Sequence, residues 1–268
     1  MDVFAIDLDG TLLTDDKEIA VENVKAIQYA AQKGATTIIV TGRSLESALG
    51  YFQCLEVPGF VIALNGAVIA NARGQIMFKK EIDFFAMKQM INLGIKSHST
   101  IWLNNEVTNY QLIDSSLCKD QVKQQKPMTR YQQIHENEID EIFETQGVLK
   151  IALKNAKQDT LERIRTNLDH CKATLVKSDT EYLEMMAETI SKGESLHYLL
   201  SLVGMNEATI IAFGDQENDL SLFQQATIKF AMGNAIEQVK KVSSAILPSN
   251  NDAGVSQGIY RYYASKMH

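Results

Sequence analysis

Cysteine is scarce in this 268-residue sequence, and the three cysteines, Cys54, Cys118 and Cys171, lie far apart. Their odd number and the lack of a C-x-x-C spacing argue against a disulfide scaffold, so we interpret each as a small buried apolar side chain. The five histidines form no pair at metal-ligand spacing, and we assign them no metal role. Glycine and proline are also sparse, which excludes fibrous and disordered classes and leaves one large or two smaller globular domains.

An excess of positive charge is missing as well. The formal net charge is −7 and the pI is about 5.3, so we expect no nucleic-acid partner. An acidic chain that binds phosphate must concentrate positive charge in one place, from a metal, a few Lys or Arg side chains and backbone N–H groups. No apolar run approaches the ~18 residues of a membrane span, and the N-terminus lacks a signal-peptide pattern. We therefore expect a cytoplasmic protein with no membrane partner.

Strands and helices alternate at both ends of the chain. Short apolar runs predict buried strands at 3–6, 37–40, 60–64, 210–213 and 228–232. A helix is predicted to end at Gly34, and another to begin at Ser191 and end at Gly204. This alternation predicts the α/β class, with a parallel sheet covered by helices.

The middle of the chain has a different character. It is polar from about residue 83 to 187, contains Trp102, the single tryptophan, and mixes amphipathic helices with short strands such as 149–153. We expect residues 83–187 to form a second α/β domain, inserted into a core made of residues 1–82 and 188–268.

Polar signatures follow four of the predicted strands. They are Asp7-Leu8-Asp9, Thr41-Gly42, Asn65-Gly66 and Gly214-Asp215. Ligands of an open α/β sheet bind beyond the carboxyl ends of its strands, so these signatures are expected to meet on one face. Their convergence indicates a ligand site more strongly than any one of them.

Asp7 and Asp9 lie two residues apart just after a strand, so their side chains point roughly the same way. Neighbouring carboxylates repel each other, which favours a bound cation or a shared proton. Mg²⁺ fits the first option and would shield a substrate phosphate from an attacking carboxylate. Taken alone, the pair fits an alternative equally well, in which Asp9 caps a turn and Asp7 caps a helix. The acidic segment at 214–219 favours the metal site, with Asp215 as the better ligand.

Thr41 offers a hydroxyl beside the exposed N–H of Gly42, a combination that suits phosphate oxygens. The alternative is that Thr41 is the N-cap of an ordinary strand-to-helix turn. Arg43 would either pair with phosphate or be solvated, and we leave it unassigned.

Lys192 stands at the predicted start of a helix, where a cation opposes the helix dipole. This placement suggests that Lys192 neutralises phosphate and holds Asp7 ionised, although a solvated surface lysine is the alternative. Asp219 is expected to orient the site or Lys192 rather than to bind the metal.

These motifs resemble the haloacid dehalogenase-like (HAD) superfamily of phosphohydrolases, and specifically its Cof type. Four motifs in order carry the resemblance: Asp7-Leu8-Asp9-Gly10-Thr11-Leu12-Leu13, Thr41-Gly42-Arg43, Ser191-Lys192-Gly193 and Gly214-Asp215-Gln216-Glu217-Asn218-Asp219. Minor signatures at 65–67, 231–235 and 249–251 also match. The resemblance implies a Rossmann-like parallel-sheet core with an inserted α/β cap domain.

The resemblance also implies roles for these residues. Asp7 would be the nucleophile that becomes an aspartyl phosphate, and Asp9 would be the general acid and base. Mg²⁺ would be held by the carboxylates of Asp7 and Asp215 and by the backbone carbonyl of Asp9. The phosphate would be held by the Leu8 backbone N–H, Thr41, Gly42, Lys192 and Asn218, which is the positioning and charge neutralisation that phosphoryl transfer requires.

Two positions depart from the family pattern. After Asn250-Asn251 the family often has Glu and then Asp, whereas this chain has Asp252 and Ala253, so we assign that loop no ligand role. Ala20 replaces a Ser that often precedes the first helix, which concerns local stability only.

The leading hypothesis is a phosphatase for small phosphorylated metabolites, such as sugar phosphates or phosphorylated cofactors. A phosphomutase that uses the same intermediate is an alternative, and so is a non-catalytic protein that binds phosphometabolites. The non-catalytic alternative predicts loss of a motif carboxylate, and none is lost. The sequence indicates neither the particular substrate nor an oligomeric state.

Overall fold

The computed structural model describes residues 1–113 and 131–266, which form two compact units. The first unit comprises Met1–Phe78 and Ser191–His268, and the second comprises Lys79–Ile190. Strands and helices are numbered below in order along the whole chain.

The first unit contains an eight-stranded sheet. Its strands are β1 (Asp2–Ile6), β2 (Thr36–Val40), β3 (Gly59–Ala63), β4 (Val68–Asn71), β5 (Ile76–Lys79), β12 (Thr209–Gly214), β13 (Ile228–Ala231) and β14 (Ala245–Ile246). Their spatial order is β14-β13-β12-β1-β2-β3-β4-β5. The six strands from β14 to β3 are parallel, and β4 runs antiparallel to β3. β1 therefore lies at the centre, where the chain order reverses and open sheets bind their ligands.

Helices cover both faces of this sheet. They are α1 (Val21–Gln32), α2 (Leu45–Gln53), α6 (Lys192–Leu202), α7 (Leu220–Gln225), α8 (Glu237–Val242) and α9 (Gly254–Ser265). Because side chains alternate along a strand, Val3 and Ala5 join the buried cluster of α6 and α7, whereas Phe4 packs edge-on against Tyr262 of α9. The predicted α/β class with a helix-covered parallel sheet is confirmed.

Two helices that border the predicted site begin at serine N-caps. Ser44 Oγ accepts from the Ser47 N–H at the start of α2, and Ser191 Oγ accepts from the Glu194 N–H at the start of α6. Each bond satisfies a backbone donor that the helix itself leaves free. By contrast, Ala20 precedes α1 and makes no side-chain cap.

We expect Ala20→Ser to stabilise the protein by about 0.5–1 kcal/mol, because a serine there could accept from the first turn. The backbone angles of Ala20 (φ −58°, ψ 137°) lie close to those of the serine cap Ser44 (φ −61°, ψ 155°). The urea midpoint of unfolding would measure the change. Ser44→Ala, which removes an existing cap, should shift the midpoint the opposite way by a similar amount. An unchanged midpoint for Ala20→Ser would contradict the capping argument.

The second unit contains a six-stranded sheet in the order β10-β11-β9-β6-β7-β8. The strands are β6 (Thr100–Asn104), β7 (Asn109–Leu112), β8 (Tyr131–Ile134), β9 (Lys150–Lys154), β10 (Ala173–Asp179) and β11 (Tyr182–Ala187). Only the β7–β8 pair is parallel among the described pairs of this sheet. Its helices are α3 (Phe84–Lys96), α4 (Ile139–Gln146) and α5 (Gln158–Leu168), whose apolar faces share a core with inward residues of the sheet such as Ile151 and Leu153.

The prediction that each cysteine is buried is wrong for Cys54, which is exposed, and Cys171 is only half-buried. Cys54 stands at the C-cap of α2, where its Sγ donates to the Gly50 carbonyl and the side chain is open to solvent. Cys118 lies outside the described residues. None of the described helices is both long and apolar enough to cross a membrane.

Candidate active site

The predicted site residues meet at the carboxyl edge of the first sheet. Asp7 follows β1 and its N–H donates to the Phe213 carbonyl (3.2 Å), while Thr41 follows β2 and its N–H donates to the Ile62 carbonyl (2.8 Å). Asp215 directly follows β12. Because these strands are parallel neighbours, their ends bring side chains far apart in sequence to one edge of the sheet.

Three carboxylates form an acidic cluster at this edge. Asp7, Asp215 and Asp219 each place an oxygen within 4.8 Å of the others. Their exposed fractions are 5%, 3% and 0%, so water screens their mutual repulsion very little. We call these three residues the acidic cluster.

Lys192 is the cation that compensates this cluster. Its Nζ donates to Asp7 Oδ1 at 2.7 Å and to Asp219 Oδ1 at 2.6 Å, and the side chain is 1% exposed. Lys192 is the first residue of α6, so the helix start delivers the ammonium directly between two carboxylates. The alternative of a solvated surface lysine is thus excluded by its burial.

Asp219 is held by hydrogen-bond donors on both of its oxygens. Oδ1 accepts from Lys192, and Oδ2 accepts from the backbone N–H groups of Asp215 (2.9 Å) and Gln216 (3.1 Å). This packing requires Gly214, since a Cβ there would lie 2.6 Å from the Asp219 Cβ. With both oxygens engaged, Asp219 is placed to orient Lys192 and the turn that carries Asp215.

Asp215 is oriented by the first motif. Thr11 Oγ1 donates to Asp215 Oδ1 at 3.0 Å. Gly10 has φ of +74° and its ideal Cβ position lies 2.3 Å from Asp215 Oδ2, so any side chain at this position would collide with the carboxylate. The Gly-Thr pair after Asp9 therefore makes room for Asp215 and aims it.

The charge of the acidic cluster exceeds what Lys192 can neutralise. Burial raises the pKa of Asp7 well above its ordinary value, and repulsion from Asp219 and Asp215 adds to this against the pull of Lys192. Burial, followed by repulsion from Asp219, raises the pKa of Asp215 to about 7. Three buried carboxylates against one lysine leave an excess of negative charge, and the donors are all oxygen atoms. This donor set and charge fit a hard divalent cation such as Mg²⁺.

Asp9 lies outside the acidic cluster, and its side chain is half-exposed. Its carboxylate accepts a forked pair from Arg43, Nε to Oδ2 at 2.6 Å and Nη2 to Oδ1 at 2.7 Å, and Oδ1 also accepts from Lys17 Nζ at 2.8 Å. Burial acts to raise the pKa of Asp9, but the hydrogen bonds and charges of Arg43 and then Lys17 outweigh it and lower this pKa to about 2.

Arg43 also contacts two residues of α2. Its Nη1 donates to Ser47 Oγ at 3.2 Å, and its guanidinium lies over the Tyr51 ring, 5.0 Å from the ring centre. The Tyr51 hydroxyl donates to the Lys17 carbonyl at 3.2 Å. We call Lys17, Arg43, Ser47 and Tyr51 the Asp9 clamp.

Sequence reasoning missed the Asp9 clamp. Arg43 was unassigned, and its place directly after Thr41-Gly42 was the one available signal. Lys17 and Tyr51 gave no signal, because a polar loop and an amphipathic helix predict neither their orientation nor their contact.

The predicted phosphate-binding residues lie around the same edge. Thr41 is buried and its Oγ1 accepts from the Arg43 N–H at 3.2 Å. Because Ser44 is the N-cap of α2, Thr41 does not serve as the helix cap. Leu8 is buried and Gly42 half-buried at the ends of β1 and β2.

Asn218 contains an unsatisfied polar atom. Its Nδ2 donates to Asn65 Oδ1 at 3.1 Å, while its buried Oδ1 has no partner in the described part of the chain. Amide nitrogen and oxygen are assigned from such contacts, so the inverted amide would present an N–H at the same place. An orphaned buried amide group at this edge suits a ligand that completes its hydrogen bonds.

The loop at Asn250-Asn251 contacts Asp15. Asn250 Nδ2 donates to the Leu13 carbonyl (2.9 Å) and to Asp15 Oδ1 (3.1 Å), and Asn251 Nδ2 donates to Asp15 Oδ2 (2.9 Å). These bonds tie the C-terminal part of the chain to the segment after the first motif.

Comparison with known proteins gives consistent results. A family model described as haloacid dehalogenase-like hydrolase matches residues 4–259. A protein from Streptococcus pyogenes serotype M6 that is named as a phosphatase is 29% identical, over 96% of this chain and 97% of that protein. A Bacillus subtilis (strain 168) protein named 5-amino-6-(5-phospho-D-ribitylamino)uracil phosphatase is 27% identical, over 96% of both chains.

The fold is shared with solved structures. A haloacid dehalogenase-like hydrolase from B. subtilis superposes with a TM-score of 0.83 at 24% identity, covering 97% of this chain and 99% of that one. The family model over residues 4–259 confirms the family resemblance drawn from the four motifs. The chain belongs to the haloacid dehalogenase-like hydrolases, as a member of the Cof type.

Proposed function

We propose that this hydrolase is a Mg²⁺-dependent phosphatase that cleaves small phosphorylated metabolites through an aspartyl phosphate on Asp7. The observation that carries the proposal is the buried acidic cluster with Lys192 bound to Asp7 at 2.7 Å. A carboxylate held by a lysine, next to two further carboxylates that would bind a divalent cation, is an arrangement that suits in-line attack on a phosphate.

The metal would be held by the carboxylates of Asp7 and Asp215 and by the backbone carbonyl of Asp9. When bound, it would neutralise phosphate charge during the transfer. Lys192 supports the same task from the protein side, because its ammonium stays charged: the carboxylates of Asp219 and Asp7 raise its pKa against the effect of burial.

The chemistry then proceeds in two steps by the protein's own groups. An Asp7 carboxylate oxygen attacks phosphorus, the bond to the leaving oxygen breaks, and Asp9 donates a proton to that oxygen. In the second step Asp9 accepts a proton from water while the water oxygen attacks phosphorus and releases Asp7. The Leu8 backbone N–H, Thr41, Gly42, Lys192 and Asn218 would hold the phosphate throughout.

Residues 83–187, within the second unit, are proposed to be the cap domain that selects the substrate. A sugar phosphate or a phosphorylated cofactor precursor is the proposed substrate class. The name of the 27%-identical B. subtilis relative, which specifies a phosphorylated ribityl compound, supports that class.

Inorganic phosphate release from a panel of sugar, polyol and cofactor phosphates tests this function. We expect stoichiometric release that requires Mg²⁺ and stops with a chelator. A positional isomer formed without free phosphate would identify a phosphomutase instead. Activity on no member of the panel, nor on a generic aryl phosphate, would favour a non-catalytic binding protein.

Metal binding should also change the thermal stability of the protein. Asp215 binds a proton more tightly when folded than when unfolded, so the metal-free protein loses stability as pH rises from about 4 towards 7. Mg²⁺ replaces that proton, so we expect it to raise the thermal midpoint more at about pH 8 than at about pH 5.5. Asp215→Asn should abolish the Mg²⁺-induced shift. An equal shift in that variant would place the metal elsewhere.

A further inference from the structure

The Asp9 clamp is a second charged network, and the two-step chemistry above does not use it. It engages both oxygens of Asp9, through a fork from Arg43 and one bond from Lys17. The Arg43 side chain is 18% exposed and the Asp9 side chain 42%, so the pair is partly shielded from solvent, and its two-bond geometry distinguishes it from an ordinary surface ion pair.

The fork fixes the orientation of the Asp9 carboxylate. A planar guanidinium that binds both oxygens holds the carboxylate in one plane, which a single hydrogen bond does not do.

Arg43 is also supported by residues other than Asp9. Ser47 Oγ accepts from Nη1, and the Tyr51 ring supports the guanidinium. Tyr51 also holds the Lys17 carbonyl, in a turn where Lys17 has φ of +64°, a conformation unfavourable for a residue with a side chain. Tyr51 thus contacts both the guanidinium of Arg43 and the backbone of Lys17.

We infer that Arg43 is a positioning residue, whose fork holds the Asp9 carboxylate in the orientation from which it acts on the attacking water. This inference rests on the proposed function. In the second step of the proposed reaction the water oxygen bonds to phosphorus, the bond to Asp7 breaks and the water proton moves to Asp9. A carboxylate already held in the right orientation speeds this proton transfer.

Pre-steady-state kinetics with an aryl phosphate tests the inference. The aryl oxide leaves without needing a proton, so only the second half depends on Asp9. We expect Arg43→Ala to lower kcat about tenfold or more without raising KM, and to show a burst of one aryl alcohol per active site. Arg43→Lys, which keeps the charge and loses the fork, should fall between wild type and Arg43→Ala.

A double-mutant cycle shows whether Arg43 acts through Asp9. In the Asp9→Asn background, Arg43→Ala should change kcat by less than about threefold, because the group it positions is gone. The control is Arg73→Ala, an exposed arginine of the same unit, which should leave both constants unchanged.

The remaining outcomes would contradict either the role of Arg43 or the proposed function. A raised KM with no burst would make Arg43 a ligand of the substrate phosphate and overturn the inference. A lowered thermal midpoint with no burst, or independent effects in the cycle, would leave Arg43 a structural residue. A wild-type protein that hydrolyses nothing would refute the proposed function itself, and the role of Arg43 with it.

Discussion

Asp7→Asn is expected to lower kcat by about a thousandfold or more while the protein remains folded, because the amide keeps the size of the side chain and loses the nucleophilic oxygen. The measurement is steady-state phosphate release on the best substrate of the panel. Asp16→Asn, an exposed aspartate in the same segment, is the matched control and should retain activity.

Stability separates this catalytic role from a structural one. The raised pKa of Asp7 means that its ionised form is disfavoured by the fold, chiefly through burial. A neutral side chain relieves repulsion from Asp215 and Asp219, so in metal-free buffer the unfolding midpoint of Asp7→Asn should equal or exceed that of wild type. A folded Asp7→Asn protein with wild-type turnover would refute the nucleophile assignment.

Lys192→Met is expected to have the second large effect, on activity and on stability together. Removing the ammonium leaves the buried carboxylates of Asp7 and Asp219 without their shared partner, and breaking a buried ion pair on one side typically costs about 3–5 kcal/mol. Guanidinium unfolding at about pH 8 measures the loss, and phosphate release should fall below detection.

The pH dependence of that loss tests its electrostatic origin. Burial already raises the pKa of Asp7 in the folded state, and without the pull of Lys192 it rises further, so the variant is penalised most at high pH and least as pH falls towards 4. The deficit should therefore be smaller at about pH 5.5 than at pH 8. Lys25→Met, at an exposed position of α1, should change little at either pH. A deficit independent of pH would indicate lost packing rather than unpaired charge.

The sequence predicted those features of the site that follow from strand ends and from charge. Asp7, Thr41 and Asp215 follow buried apolar runs, and parallel strands necessarily bring such positions to one edge. Lys192 was singled out because a cation at a helix start opposes the dipole, and the structure shows the ammonium between two buried carboxylates. The orienting role expected of Asp219 agrees with its bonds, although the catalytic roles themselves remain predictions.

Other features depend on tertiary contacts that leave no local pattern. The Asp9 clamp joins a loop residue, Lys17, to a helix residue, Tyr51, and no periodicity predicts that meeting. In the second unit the strand at Lys150–Lys154 was foreseen, but the sheet order was not, since short amphipathic strands pair by side-chain fit rather than by sequence order. The exposure of Cys54 likewise depends on where α2 ends.

Chemical trapping of the intermediate tests the central claim most directly. Acid quenching during turnover, followed by borohydride reduction, converts an aspartyl phosphate to homoserine, which mass spectrometry of the tryptic peptide 1–17 can locate. The account predicts homoserine at Asp7 in the wild-type protein with substrate and Mg²⁺, and none in Asp7→Asn. Phosphate release without any modification at Asp7, and hence direct attack by water, would contradict it.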